Sequence, residues 1–348
     1  LAIGELMALP AVTKIIAPNL WGWIADHIGK SLVIIRIAAF LTFCIFTGFL
    51  FKTGYFWFAL LTIGFSFFWN AALPQFEAAT LFHLKSDTHR YSRIRIWGSV
   101  GFIITVLTIG QVIDIYGISM LPSIVVGLLL SIWVLAMLTP EVRVEHADTK
   151  PVKLWQVLKQ SEVLAFFVVY MLLQIAHGPY YVFYSIYLND NGYSGTLIGL
   201  LWALGVGAEI ALFTGMRSLL KRFKIRHLLL FSMILGVIRW LLIAWCANQL
   251  WLLVFAQLLH AATFGITHVA AIHLLHQYFG TRHQGKGQAL YSSLSCGLGG
   301  MIGSFYSGYF WLSLGPEIIY TVAAVCSALA WLIVFFWIGR ENSKKPCH

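Results

Sequence analysis

The chain has 348 residues, of which 59% are hydrophobic and 10% charged, and its formal charge is +10. An average soluble domain carries about 25% charged residues, so a soluble fold is excluded, and the lysines and arginines fall mostly between apolar runs rather than along one stripe as in a nucleic-acid binder. Cys44, Cys246, Cys296 and Cys326 lie inside apolar segments without disulfide or zinc spacing, which leaves them as packing residues.

A bilayer-spanning helix needs about 20 apolar residues. Eleven such spans are expected, near 1–23, 32–51, 55–80, 95–115, 118–138, 162–188, 196–219, 227–246, 250–276, 288–312 and 316–338, which makes the fold class an all-α membrane protein. Lys30, Lys85, Arg90, Arg93, Lys150, Lys153, the cluster Lys221, Arg222, Lys224 and Arg226, then Arg282, Lys286, Lys344 and Lys345 all fall on one side of these spans. The opposite loops offer only Lys52. Positively charged short loops stay in the cytoplasm, so the C-terminus is expected inside and Leu1 outside.

In the first span Lys14 is left either to snorkel to an interface or to face an internal cavity. The connection that follows runs Gly22-Trp-Ile-Ala-Asp26-His-Ile-Gly29-Lys30. Gly22 permits a close helix approach, Gly29 a tight turn, and Asp26 can cap or pair in one of two conformations, so Gly22, Asp26, Gly29 and Lys30 form a candidate conformational-switch loop.

The third and fourth spans carry charges where a membrane helix should carry none: Glu77 closes NAALPQFEA (70–78) and Arg95 lies near the start of RIRIWGSVGF (93–102). Ionisable groups in apolar spans are costly and mark a substrate or ion pathway, each with the other as partner. Glu77 and Arg95 are therefore candidate substrate-binding residues, and Trp97, Phe102, His177 and Tyr181 join them as ring-bearing candidates. Aromatic faces at Trp97, Phe102, Tyr180 and Tyr181, with the planar forks of Arg95 and Arg239, suit a carboxylate on a planar ring.

The polar stretch 140–161 mixes charge with proline and is expected to be a cytoplasmic linker. It separates an N-terminal bundle, 1–139, from a C-terminal six-helix bundle, 162–340, with a cytoplasmic tail at 341–348. IGELMAL (3–9) resembles IGLLWAL (198–204), as in transporters built from parallel repeats. In that register the earlier half lacks its leading helix, and an N-terminal truncation is expected.

In the later half Glu209, Arg239 and His260 lie inside apolar spans, and Glu209 and His260 are the candidate proton carriers. His177 is joined by Gln174 on the sixth span. From His268 to His273 a helix turns about 140°, and to His276 it steps back about 60°, so no metal site is expected. Gly299 and Gly303 form a G-x-x-x-G pair, expected to be either a sliding surface between the bundles or plain static packing. With no nucleophile motif or paired carboxylates at workable spacing, neither an enzyme nor a cofactor is expected.

The segment Gly22 to Lys30 resembles the G-x-x-x-D-R-x-G-R/K loop of the major facilitator superfamily, with His27 in place of the arginine. Asn70, Pro74, Glu77, Arg93, Arg95, Gly98, Val100 and Gly101 stand in the register of its oligosaccharide and proton symporter branch, a resemblance that implies Asn70 as a further substrate-binding candidate. The stretches YSRIRIWGSVGF, LLQIAHGPYY, GYSGTLIGLLWALGVGAEI and LLHAATFGITHVAA are similar to the 3-phenylpropionate permease group. This resemblance implies a major facilitator fold of two helical bundles, with about 11 of 12 helices present, in a bacterial-type inner membrane. It further implies a monomer that transports a small solute such as 3-phenylpropionate together with protons, a sugar or nucleoside being the alternative. In that family the matches of Glu77 and Arg95 form the ion pair that holds substrate, and Glu209, Arg239 and His260 match its intramembrane Glu, Arg and His. Where the sugar branch carries a proton-bearing Glu this chain has Thr263, so proton coupling by the same residues does not carry over. A non-transporting receptor or an inactive fragment would keep the fold and bind without flux.

Overall fold

The structure is a computed structural model that describes residues 2–28, 31–83, 88–140 and 157–339. Gly29, Lys30 and most of the expected linker lie outside the described residues, and at Gly22, Asp26, Glu77 and Arg95 only the helical backbone is described.

Among the described residues eleven α-helices follow one another: α1 (Ala2–Ile28), α2 (Ser31–Thr47), α3 (Tyr55–His83), α4 (Thr88–Tyr116), α5 (Leu121–Leu138), α6 (Ser161–Asp190), α7 (Gly195–Arg222), α8 (Ile225–Trp245), α9 (Leu250–His260), α10 (Thr267–Leu290) and α11 (Gly300–Trp337). Wide π turns at Ala261–Ile266 and Tyr291–Gly299 join α9 to α10 and α10 to α11. No strand occurs among the described residues.

Nine helical stretches among the described residues are long and apolar enough to cross a membrane. The last, Gly287–Trp337, is 51 residues long, too long for one crossing. It bends at Gly315, whose φ of 81° suits a residue without Cβ, and Pro316 then restarts the helix. That bend, together with the less apolar α1, which carries Glu5, Lys14, Pro10 and Pro18, accounts for the eleven expected crossings. A Cβ on Gly287 would meet the Phe279 ring.

The helices after residue 157 share a dense core. Phe183 stacks on Trp311 at 4.2 Å and 13°, and Tyr180, Tyr184, Trp240 and Tyr320 are fully buried around α6. The earlier helices are tied by polar as well as apolar contacts. Arg36 of α2 donates to the Ala136 and Thr139 carbonyls at 3.1 and 2.7 Å, capping the C-terminal end of α5. On the α1–α3 face the Ser66 and Thr13 hydroxyls are 2.9 Å apart, and Asn70 donates to Thr13 at 3.0 Å and to the Pro10 carbonyl at 3.3 Å.

The two sets of helices meet along two glycine seams. A Cβ on Gly4 would lie 2.2 Å from the Gly308 Cα, and one on Gly110 would lie 2.5 Å from the Gly195 carbonyl oxygen. One turn deeper, a Cβ on Gly199 would meet the Val106 carbonyl at 2.4 Å. Gly4 begins α1, Gly195 begins α7, Gly110 is near the end of α4 and Gly308 near the end of its crossing. For alternating crossings those four ends lie on one membrane face, so both seams close the same end.

Of the two roles open to the G-x-x-x-G pair, packing within one bundle fits its neighbours. Gly299 packs against Met171 and Gln174, and Gly303 against Ile175 and Gly178, all on α6 of the same bundle. Contact with α1 falls instead to Gly297, which touches Ile15, and to Gly308. Positions 299 and 303 lie one turn apart on the face of the chain turned to α6, so their small side chains serve static packing.

Candidate functional site

A cavity of about 400 Å³ opens beside α6 and lies within the range of small-molecule sites. One wall is α1, which contributes Lys14; α6 contributes Tyr170, Gln174, His177 and Tyr181; the two π turns and α10 contribute Phe264, His268, Tyr291 and Cys296. Both π turns thus border the cavity, in keeping with the tendency of such turns to mark functional sites.

The α6 residues are held by their own helix and its neighbours. His177 is 5% exposed, its Nδ1 lies 2.7 Å from the Leu173 carbonyl, and its Nε2 has no hydrogen-bond partner among the described residues. Its ring stacks on Tyr181 at 5.8 Å and meets the Trp240 edge at 5.0 Å. Tyr181 is 47% exposed and lines the cavity. Gln174 donates to the Cys296 thiol at 3.1 Å.

Behind this wall lies a buried polar core. Arg239 is 0% exposed and its guanidinium lies 4.3 and 4.4 Å from the ring centroids of Tyr180 and Trp240, which stand beside each other against it. Cation–π contacts of this kind are worth about 2 kcal/mol or more when desolvated. Arg239 Nη1 donates to the Thr263 hydroxyl at 3.2 Å. Thr263 thus touches Arg239 at the position where the resemblance would place a proton-bearing Glu. His260 Nε2 lies 3.9 Å from a Glu209 carboxylate oxygen, and the Tyr180 hydroxyl donates to Gln257 at 3.0 Å. Stacked rings connect this core to the cavity: His260 on Phe264 at 5.4 Å, and Phe264 on His268 at 6.0 Å.

Glu209, Arg239 and His260 therefore form one cluster, and His177 and Tyr181 share the cavity. Asn70 donates to α1 as described above. Phe102 of α4 meets Trp202 of α7 edge to face at 6.5 Å, across the boundary between the two sets of helices. Trp97 is 73% exposed and is not among the described residues that line this cavity. The side chains of Glu77, Arg95 and the switch-loop residues Gly22 and Asp26 lie outside the description.

Of the two places open to Lys14, the structure takes the cavity, which Lys14 lines. One feature escaped the sequence reading. Asp114, near the end of α4, reaches the first turn of α7: Gly195 N donates to Oδ1 at 2.6 Å, and Thr196 N to Oδ2 at 2.7 Å, with the Thr196 hydroxyl on the same oxygen. Ser194 accepts from Leu197 N at 3.3 Å, so α7 is capped by its own residue and by a carboxylate from α4. An acidic residue before a turn, in QVIDIYG, was the available signal, but nothing local says which helix it caps.

Comparison with known proteins places the chain. The model of the MFS_1 like family matches residues 1–322. The chain is 28% identical over 330 residues to the "Probable 3-phenylpropionic acid transporter" of Escherichia coli (strain K12), covering 93% of this chain and 86% of that protein. It is 25% identical over 352 residues to the maltose permease of Geobacillus stearothermophilus, covering 98% and 87%. Among solved structures, the nucleoside transporter NupG superposes with a TM-score of 0.84 at 16% identity, covering 98% of this chain and 91% of that one. The expected major facilitator fold of two helical bundles is thereby confirmed, and the chain belongs to the MFS_1 like family of membrane transporters.

Proposed function

We propose that this protein is a proton-coupled symporter for a small aromatic carboxylate, 3-phenylpropionate or a close relative, working by alternating access. The observation that carries this reading is the cluster of Glu209 with the buried His260 and Arg239, joined by the His260–Phe264–His268 stack to a cavity walled by tyrosines. A membrane protein holds ionisable groups at depth where they serve a pathway. The similarity to the Escherichia coli protein supports the choice of substrate.

In this reading Glu209 or His260 takes the proton and Arg239 holds the countercharge. Substrate then engages Glu77 and Arg95, with Trp97, Phe102, His177 and Tyr181 around it, and inward release resets the carrier. The bundles 1–139 and 162–340 rock about the linker 140–161, with the Gly22, Asp26, Gly29 and Lys30 loop pairing differently in the two states. The glycine seams close the outer face, the C-terminus is cytoplasmic, and a monomer suffices in a bacterial-type inner membrane.

The test is uptake of labelled 3-phenylpropionate into proteoliposomes under an inward proton gradient, beside a labelled galactoside and a labelled nucleoside. Uptake of the aromatic acid that collapses with a protonophore is expected. Uptake of the sugar or the nucleoside in its place would reassign the substrate, and saturable binding without flux would make the protein a receptor.

A further inference from the structure

Lys14 stands near the middle of α1, about 18 Å along the axis from Ala2 and about 21 Å from Ile28 at 1.5 Å per residue. A four-carbon stem cannot carry its ammonium over either distance to a headgroup layer. The side chain lines the cavity beside α6, and no Asp or Glu is among the described lining residues. The next residue, Ile15, packs against Gly297, so α1 is fixed in rotation at this level.

A second, independent observation lies in the same cavity. His177 is 5% exposed, its Nδ1 is committed to the Leu173 carbonyl, and its Nε2 has no partner among the described residues. Native proteins rarely leave such an atom unsatisfied, and the His177 ring stacks on Tyr181 at the cavity wall. Around the two polar ends lie the rings of Tyr181 and Tyr291, and intramembrane cations are kept where they meet a counterion.

We infer that Lys14 is the cation that selects a carboxylate in this cavity, with the tyrosine rings as the bed for an aromatic body. The inference rests on the transport reading above and adds to it the residue that distinguishes an acid from a neutral analogue. Neutral His177, its Nδ1–H given to Leu173, offers only an acceptor at Nε2 and cannot donate to the carboxylate, so Lys14 supplies the charge.

The experiment is binding of 3-phenylpropionate and of 3-phenylpropanamide to the purified protein by calorimetry, for the unaltered chain, Lys14→Met and Lys14→Arg. Lys14→Met should weaken acid binding about tenfold to a hundredfold, the loss expected for a charge-assisted contact, and leave the amide within about twofold. Lys14→Arg should restore most of the preference for acid. The melting temperature of Lys14→Met should not fall, since an apolar residue replaces a charge in the span; should it fall, Lys14→Gln is read the same way. A Lys14→Met protein that keeps the original ratio of acid to amide affinity overturns this inference and leaves aromatic-acid transport standing. An unaltered chain that binds neither compound but takes up a galactoside or nucleoside overturns both.

Discussion

α6 and α4 are helices of 30 and 29 residues, yet 67% of the α6 span is buried and only 6% of the Ile96–Tyr116 span of α4. α6 is enclosed by aromatic side chains of its own bundle, Phe183 on Trp311 and Tyr180 on Trp202 among them. α4 packs chiefly on α7 of the other bundle, where backbones meet at Gly110, Gly195 and Gly199. Interlocked side chains resist relative motion because a packed core is bistable rather than deformable. A seam of glycines and one capped helix end separates without repacking a core. In the transport cycle proposed above, α6 belongs to the frame around the ionisable groups and α4 to the part that would change neighbours.

The sharpest way to break this comparison is Gly110→Leu. Its Cβ would meet the Gly195 backbone, which no rotamer change relieves, so the seam must part. Uptake should fall more than tenfold while cysteines placed near the seam become labelled from that face. Phe183→Ala tests the frame: removing a ring stacked at 4.2 Å should cost about 3–5 kcal/mol in denaturation of the detergent-solubilised protein. Phe40→Ala, on a ring that is 42% exposed beside Trp133, should cost about 1 kcal/mol.

Asp114→Asn keeps the shape of the α7 cap and removes its charge. A loss of about 1–2 kcal/mol is expected, which shifts the closed-to-open ratio of the seam about fivefold to thirtyfold, measurable by spin-label distances across it. Equal distance distributions in the two proteins would remove Asp114 from the gate. The smallest effect belongs to Thr13→Val, which breaks the link from α1 to Ser66 and Asn70 and should cost about 1 kcal/mol of stability without altering the seam.

The spans, the bend at Gly315 and Pro316, and the cluster of Glu209, Arg239 and His260 were legible because each is a local signal: an apolar run, a helix breaker, or a charge where none belongs. The facing of helices was not. Gly299 and Gly303 present the same spacing whether they meet α6 or α1, and a helix apolar on all sides carries no phase to tell one neighbour from another. The direction of Lys14 and the partner of Asp114 depend on that same missing phase, since both contacts join helices far apart in the chain.

The central claim is that substrate and proton cross together, and proton counting tests it most directly. When 3-phenylpropionate is added to weakly buffered proteoliposomes, protons should leave the medium in step with the labelled acid, and His260→Gln or Glu209→Gln should uncouple the two. Entry of the labelled acid with no accompanying proton uptake would contradict the account.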